Sequence, residues 1–160
     1  MMTTVRKLGP GDEDLVRLLS VEDARFDTDP PAGKSQRPLE PAAAARLLSD
    51  ASAHFLVAFE GPEPVGFLLA HELLRRHGDE RMAMLYEIGV RADRRRRGVG
   101  RRLLDGFAAL CRARRIGEAF VLTSDSTPGA PAFYAACGWT RQPDGAVTFE
   151  IRPGGPALVK

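Results

Sequence analysis

The residues around Val90-Arg-Ala-Asp-Arg-Arg-Arg-Arg-Gly-Val-Gly-Arg-Arg-Leu-Leu104 are suited to holding an anion. Gly98 and Gly100 leave the main chain uncovered, so a ligand can approach its N–H groups closely. Where a helix begins, its first turn adds unpaired N–H donors and the positive end of the helix dipole. Phosphate and pyrophosphate bind at such places. Arg95, Arg96, Arg97 and Arg101 supply mobile positive charge around it. Two familiar phosphate loops are excluded. No Gly-Lys-Ser/Thr follows, and Leu103 stands where a dinucleotide fingerprint needs another glycine. The bland alternative is a solvated arginine-rich turn.

The elements that must position this loop are legible on both sides. Met82 to Val90 is a strongly apolar strand with Tyr86 and Glu87 inside it. Gly98 to Ile116 reads as an amphipathic helix with Val99, Leu103, Phe107, Leu110 and Cys111 on one stripe, stopped by Gly117. Upstream, Thr3 to Leu8 is a strand, Asp12 or the next acids cap a helix to about Phe26, and Pro41 opens a second helix to about Asp50. His54–Glu60 and Val65–Leu73 form a hairpin around Gly61-Pro62-Glu63-Pro64. Downstream, Glu118 to Thr123 is a buried strand. A short helix runs through Tyr134 to Cys137 and is closed by Gly138, and Trp139 and Val147 to Arg152 read as final strands. Antiparallel hairpins with one β-α-β crossover make a mixed α/β layer fold. The domain is read as residues 1–152, and 153–160 as a frayed tail.

Composition bounds the function classes. With 160 residues, 44% hydrophobic and 28% charged, the chain suits one ordinary globular domain. No run of eighteen apolar residues spans a membrane and Met1 to Lys7 lacks a signal-peptide block, so the expected location is cytoplasmic. Cys111 and Cys137 are read as buried thiols, since two cysteines without nearby histidines make no disulfide framework or metal site. His54, His71 and His77 are scattered and form no nucleophilic triad. Net charge is +2, yet ten arginines lie within 91–115 and seven acids within 12–29, giving one anion-binding and one cation-tolerant end.

The spacing Arg95-x-x-Gly98-x-Gly100, after a strand ending Ile88-Gly89-Val90, resembles the acyl-CoA loop of the GNAT (GCN5-related N-acetyltransferase) superfamily. Ala130-x-x-x-Tyr134-x-x-x-Gly138-Trp139 resembles that family's second hallmark. The resemblance covers about Val5 to Ile151. It implies a mostly antiparallel, splayed sheet of six or seven strands with about four helices. Acetyl-CoA would lie between the strands ending near Val90 and Thr123. Its pantetheine would pair with Ile88, Gly89 and Val90, and its pyrophosphate would rest on the N–H groups of Arg96 to Arg101, Val99 included. Thr127 stands where many relatives carry Asn near the pantetheine. Leu85-Tyr86-Glu87-Ile88-Gly89-Val90 and Val147-Thr148-Phe149-Glu150-Ile151 are similar to segments of type I aminoglycoside 3-N-acetyltransferases. Many relatives are dimers through their C-terminal strands, so a homodimer is an expectation of the same resemblance.

Amide formation needs a neutral amine and a proton for the departing thiolate. Glu87 is the candidate base: burial in an apolar strand tends to raise a carboxyl's proton affinity, while the nearby arginines oppose that shift and leave its net direction open. Its alternatives are a structural ion pair or an amine ligand. Tyr134 is, by resemblance, the candidate acid beside the thioester sulfur, and a packed core tyrosine is the alternative. Asp27, Asp29, Glu87 and Glu150 could line a site for a small polycationic amine, most simply an aminoglycoside, although a polyamine, an amino-sugar or a protein amine fits the same acids. Other classes are an arginine-rich nucleic-acid module, disfavoured by the scarcity of aromatics around the cluster, and an acyl-CoA sensor without chemistry. Nucleic acid, membrane and metal are not expected partners.

Overall fold

A computed structural model of the chain describes residues 2–21, 23–26 and 37–143. It divides into two compact units, Met1–Thr123 and Ser124–Lys160. The first holds β1 (Thr3–Lys7), α1 (Glu13–Leu19), α2 (Asp23–Phe26), α3 (Pro41–Ser49), β2 (Ala53–Glu60), β3 (Glu63–Leu74), β4 (Arg81–Val90), a 3-10 turn (Ala92–Arg94), α4 (Val99–Ala113) and β5 (Ile116–Val121). The five strands form one sheet in the order β1-β2-β3-β4-β5. The first four pair antiparallel, and β5 joins β4 in parallel after the α4 crossover. This is the expected mixed α/β sheet. The final strands expected over 147–152 lie outside the described residues.

Helices cover both faces of the sheet. The run Phe55-Leu-Val-Ala58 is buried at every position, as a strand sandwiched between two layers must be. Phe55 and Val57 join Leu8, Val16, Leu19, Leu48 and Leu69 beneath α1 and α3. On the other face Val99, Leu103 and Phe107 of α4 are almost wholly buried. Gly106 lets α4 approach β1, since a Cβ there would stand 3.1 Å from Val5 Cγ1.

Four expectations need correction. The helix expected through Phe26 breaks after Leu19. Ser20 Oγ donates to Arg17 O at 2.7 Å and accepts from Leu39 N–H at 2.9 Å, which ends α1 and straps Leu39 to it. Asp12 turns its carboxylate back to the Gly9 N–H and the Arg6 guanidinium rather than into α1. Helix α4 ends at Ala113 instead of at Gly117. Arg115 takes φ +56°, and Ile116 already pairs with Arg81, so Gly117 lies inside β5. The last correction is that β5 is only partly buried, because among the described residues it is the sheet's edge.

The second unit contains α5 (Ala130–Ala136). Gly138 closes it at φ +87°, and Trp139 donates its N–H back to Tyr134 O at 3.0 Å instead of entering a strand.

Candidate active site

At Leu85 the sheet changes in two ways. Leu85 pairs with Ala70 and Glu87 with Leu69, so Tyr86 is one surplus residue, a β-bulge. Pairing of β4 with β5 also stops at Leu85, which faces Val121. From Tyr86 to Val90 the outer edge of β4 therefore has no strand partner among the described residues, and its main-chain groups can receive an extended ligand.

The bulge decides where the acid points. Strict alternation from Leu85, which packs beside Ala70, would return Glu87 to the α4 side. The surplus residue puts Glu87 in line with Leu69 on the opposite side, where Tyr86 and Glu87 are both exposed. They border a cleft of about 350 Å³, walled by Val16, Leu19, Leu39, Leu47, Phe55, Phe67 and Leu69. Tyr86 rests edge-on against His71, with ring centroids 5.8 Å apart.

Beyond Val90 the chain makes the 3-10 turn and reaches Gly98, the N-cap of α4, at φ +82°. Arg96 also has a positive φ, +62°, a left-handed conformation that costs a non-glycine residue energy. Among the described residues no main-chain carbonyl accepts from the N–H groups of Arg96, Arg97, Gly98, Val99 or Gly100. A Cβ on Gly98 would meet nothing within 4 Å. Open donors, a helix start and the exposed Arg96 and Arg97 make a cradle that fits a pyrophosphate.

The turn before the cradle is held by ion pairs. Arg94 donates through Nε to Glu60 Oε2 at 2.9 Å and through Nη1 to Asp93 Oδ2 at 2.7 Å. Arg91 Nε donates to Asp93 Oδ1 at 2.7 Å. These contacts fasten the turn to the β2–β3 hairpin and neutralise two members of the arginine cluster.

The comparisons with known proteins agree with this geometry. The model of the acetyltransferase (GNAT) family matches residues 18–139. The chain belongs to the GNAT family. Its members are acyltransferases that use acetyl-CoA as acyl donor. Among curated protein sequences there is no significant match. A solved aminoglycoside acetyltransferase from an uncultured soil metagenomic sample, in complex with sisomicin, superposes with TM-score 0.82 at 19% identity over 94% of this chain and 95% of its own. A second aminoglycoside acetyltransferase of soil-metagenomic origin gives 0.81 at 26% identity over 95% and 99%. Ribosomal-protein-alanine N-acetyltransferase from Brucella melitensis biovar Abortus 2308 gives 0.71 at 17% over 94% and 100%. The first and third likenesses concern the fold alone.

In this GNAT chain the sequence-predicted residues are distributed as follows. Ile88, Gly89 and Val90 pair with Leu68, Phe67 and Gly66 of β3 and, among the described residues, have no strand partner on their other edge. Gly89 is required by packing, because a Cβ there would lie 2.7 Å from Phe67 Cε1. Arg96 through Arg101 form the cradle. Arg95 departs from expectation: it is not a mobile charge. Its Nε donates to Val90 O at 3.1 Å and its Nη2 to Phe26 O at 2.9 Å. Glu87 is exposed, so burial supplies no reason for a raised proton affinity.

Tyr134 and Thr127 belong to the second unit. Tyr134 is buried between Phe133 and Trp139, at ring-centroid distances of 5.2 and 5.6 Å, and burial pushes its phenol up to about 12. A phenol so shifted holds its proton at neutral pH. Thr127 closes a turn, donating its N–H to Ser124 O at 3.0 Å. Cys111 is buried as expected, whereas Cys137 is only half-buried. Asp27, Asp29 and Glu150 lie outside the described residues. Tyr86 reads in the sequence only as part of a strand. The adjacency of an aromatic and an acid within an otherwise apolar strand is the signal that could have found it.

Proposed function

We propose that the protein transfers an acetyl group from acetyl-CoA to the primary amine of a small cationic acceptor, with an aminoglycoside as first candidate. The observation that carries this reading is the construction of β4: one bulged strand presents an unpaired edge leading to an anion cradle and, beside it, a carboxylate opening into a cleft. The named likenesses to aminoglycoside acetyltransferases support the acceptor. Acetylation of an aminoglycoside removes a positive charge and would confer resistance.

The residues proposed to hold acetyl-CoA are Ile88, Gly89 and Val90, the main chain of Arg96 to Arg101, and Thr127. When bound, it supplies an activated acetyl thioester. Glu87 receives the ammonium end of the acceptor and takes its proton at Oε, directly or through water. Tyr134 keeps a proton on Oη and is the donor for the leaving group. Asp27, Asp29 and Glu150 are proposed as further anchors for a polycation. The domain is read as residues 1–152, working in the cytoplasm.

A second reading of the acceptor is favoured by the cleft itself. Apart from Ser20 and the Tyr86 phenol, its described walls are aliphatic and aromatic, with Glu87 as the carboxylate. Leu and Phe walls favour an amine with an apolar body and penalise hydroxyl groups that they cannot pair. The test is thiol release from acetyl-CoA with sisomicin, spermidine and phenethylamine as separate acceptors. Turnover of sisomicin well above phenethylamine supports the first reading, and the reverse order supports the second. No thiol release above hydrolysis with any amine overturns the proposal.

A further inference from the structure

Arg95 ties the end of β4 and the cradle to α2, a segment 69 residues away in the sequence. Its Nε bonds the last carbonyl of β4, Val90 O, at 3.1 Å. Its Nη2 bonds the last carbonyl of α2, Phe26 O, at 2.9 Å. Its own main chain leads directly into the anion cradle. A guanidinium donating from two nitrogens in a fixed plane sets the relative position of both acceptors, which a single ammonium cannot do.

What lies behind Phe26 matters more than the carbonyl. The Phe26 ring is buried and meets Phe67 edge-on at 5.7 Å, and Phe67 lies 5.9 Å from Phe55. Phe67 and Phe55 are walls of the cleft. Phe26 Cβ also lies 3.2 Å from where a Cβ on Gly89 would stand. A displacement of the cradle is therefore felt through Arg95 at the end of α2, and through the Phe26 ring at the cleft wall.

We infer that Arg95 is a positioning residue that couples the cradle to the acceptor cleft, so that filling one orders the other. The inference rests on the reading of residues 96–101 as the coenzyme A cradle. By thermodynamic reciprocity, an acceptor in the cleft then tightens the cradle by the same factor. If Arg95 were instead a counter-charge for pyrophosphate, any cation at this position would serve and α2 would not respond.

The experiment is amide hydrogen exchange of the full chain with and without saturating coenzyme A, beside calorimetric affinity for coenzyme A, in wild type, Arg95→Lys and Arg95→Gln. In wild type, coenzyme A is expected to slow exchange in residues 96–102 and in residues 19–26, each by about 5-fold or more, the lower end of ordinary coupling. Arg95→Lys is expected to keep the first effect, to keep coenzyme A affinity within about threefold, and to lose the second effect. Arg95→Gln, which keeps amide donors without the charge, repeats the comparison if the lysine variant does not fold. Slowing at 96–102 with residues 19–26 unchanged in wild type overturns the coupling and leaves the cradle reading intact. Retention of both effects in Arg95→Lys overturns it as well. No slowing at 96–102 removes the cradle reading and the coupling together.

Discussion

His54 Nε2 lies 2.7 Å from Glu72 Oε1, with both side chains sealed inside the sheet. Glu72 also accepts from Arg81 Nη1 at 2.7 Å and from Arg114 Nε, so one carboxylate ties β2, β3, β4 and the end of α4. Burial alone would push the Glu72 carboxyl up, but the hydrogen bonds from Arg114, Arg81 and His54 outweigh it and bring it down to about 2. Burial, only partly opposed by Glu72, holds the His54 imidazole below its usual value. Among the described residues its Nδ1 has no partner, an arrangement cheaper for a neutral ring than for a charged one.

Acid should therefore destabilise the fold in two stages. Both groups bind protons more readily unfolded than folded. Stability is complete above the ordinary histidine value of 6.5, declines as His54 begins to oppose folding, and declines further below 4.5 as Glu72 does. The Glu72 shift corresponds to about 3 kcal/mol in full. Melting temperatures measured from pH 8 to pH 3 should hold level down to about 6.5 and fall from there on. In Glu72→Gln the starting stability should be lower by about 3 kcal/mol, because two arginines lose their partner, and the decline below pH 4.5 should flatten. A variant with wild-type acid sensitivity would contradict this account.

Glu87→Gln should lower turnover by about 10²- to 10⁴-fold, as expected when a general base is removed, with the KM for acetyl-CoA nearly unchanged. Thiol release over a pH range measures it. The acidic limb of the profile should disappear in the variant. A rise in amine KM without loss of turnover would instead make Glu87 only an anchor for the ammonium group.

Tyr134→Phe should reduce turnover by about 10- to 10³-fold while coenzyme A affinity, measured by calorimetry, stays close to wild type. The phenol is buried among Phe133 and Trp139, so the phenylalanine ring keeps that packing. Unchanged turnover would remove Tyr134 from the mechanism.

Gly98→Ala should weaken coenzyme A binding about tenfold, a change of about 1.4 kcal/mol. The cause is conformational: φ is +82° and a new Cβ would touch nothing within 4 Å. Forcing that backbone on alanine costs about 1–2 kcal/mol. The substitution thus favours a rearranged cradle, and calorimetry with coenzyme A reads the loss. Equal affinity in the two proteins would show that the cradle tolerates another backbone path.

The cradle was legible because its signals are local: two glycines, flanking arginines, an apolar strand before and an amphipathic stripe after. The mixed character of the sheet followed from hairpin spacing and one crossover. What the sequence concealed depends on distant partners. The side to which Glu87 points is set by the pairing of Leu69 and Ala70 across β3. The fixation of Arg95 depends on a carbonyl 69 residues away. The end of α4 was misread because Arg115, not a glycine, adopts the left-handed turn, while sheet pairing already claims Ile116.

The surplus residue at Tyr86 makes the strand's length a matter of odd and even. Lengthening or shortening the 75–80 connection leaves that count untouched, so the acid stays on its own layer. Straightening the strand with Tyr86 kept would hand the carboxylate to the layer under α4, where Leu103 and Phe107 leave it no water, whereas deleting Tyr86 removes the bulge with its surplus residue and leaves Glu87 opposite Leu69. A change that flattens the bulge would thus exchange a reactive group for a buried fault, while the loss of a residue does not by itself do so.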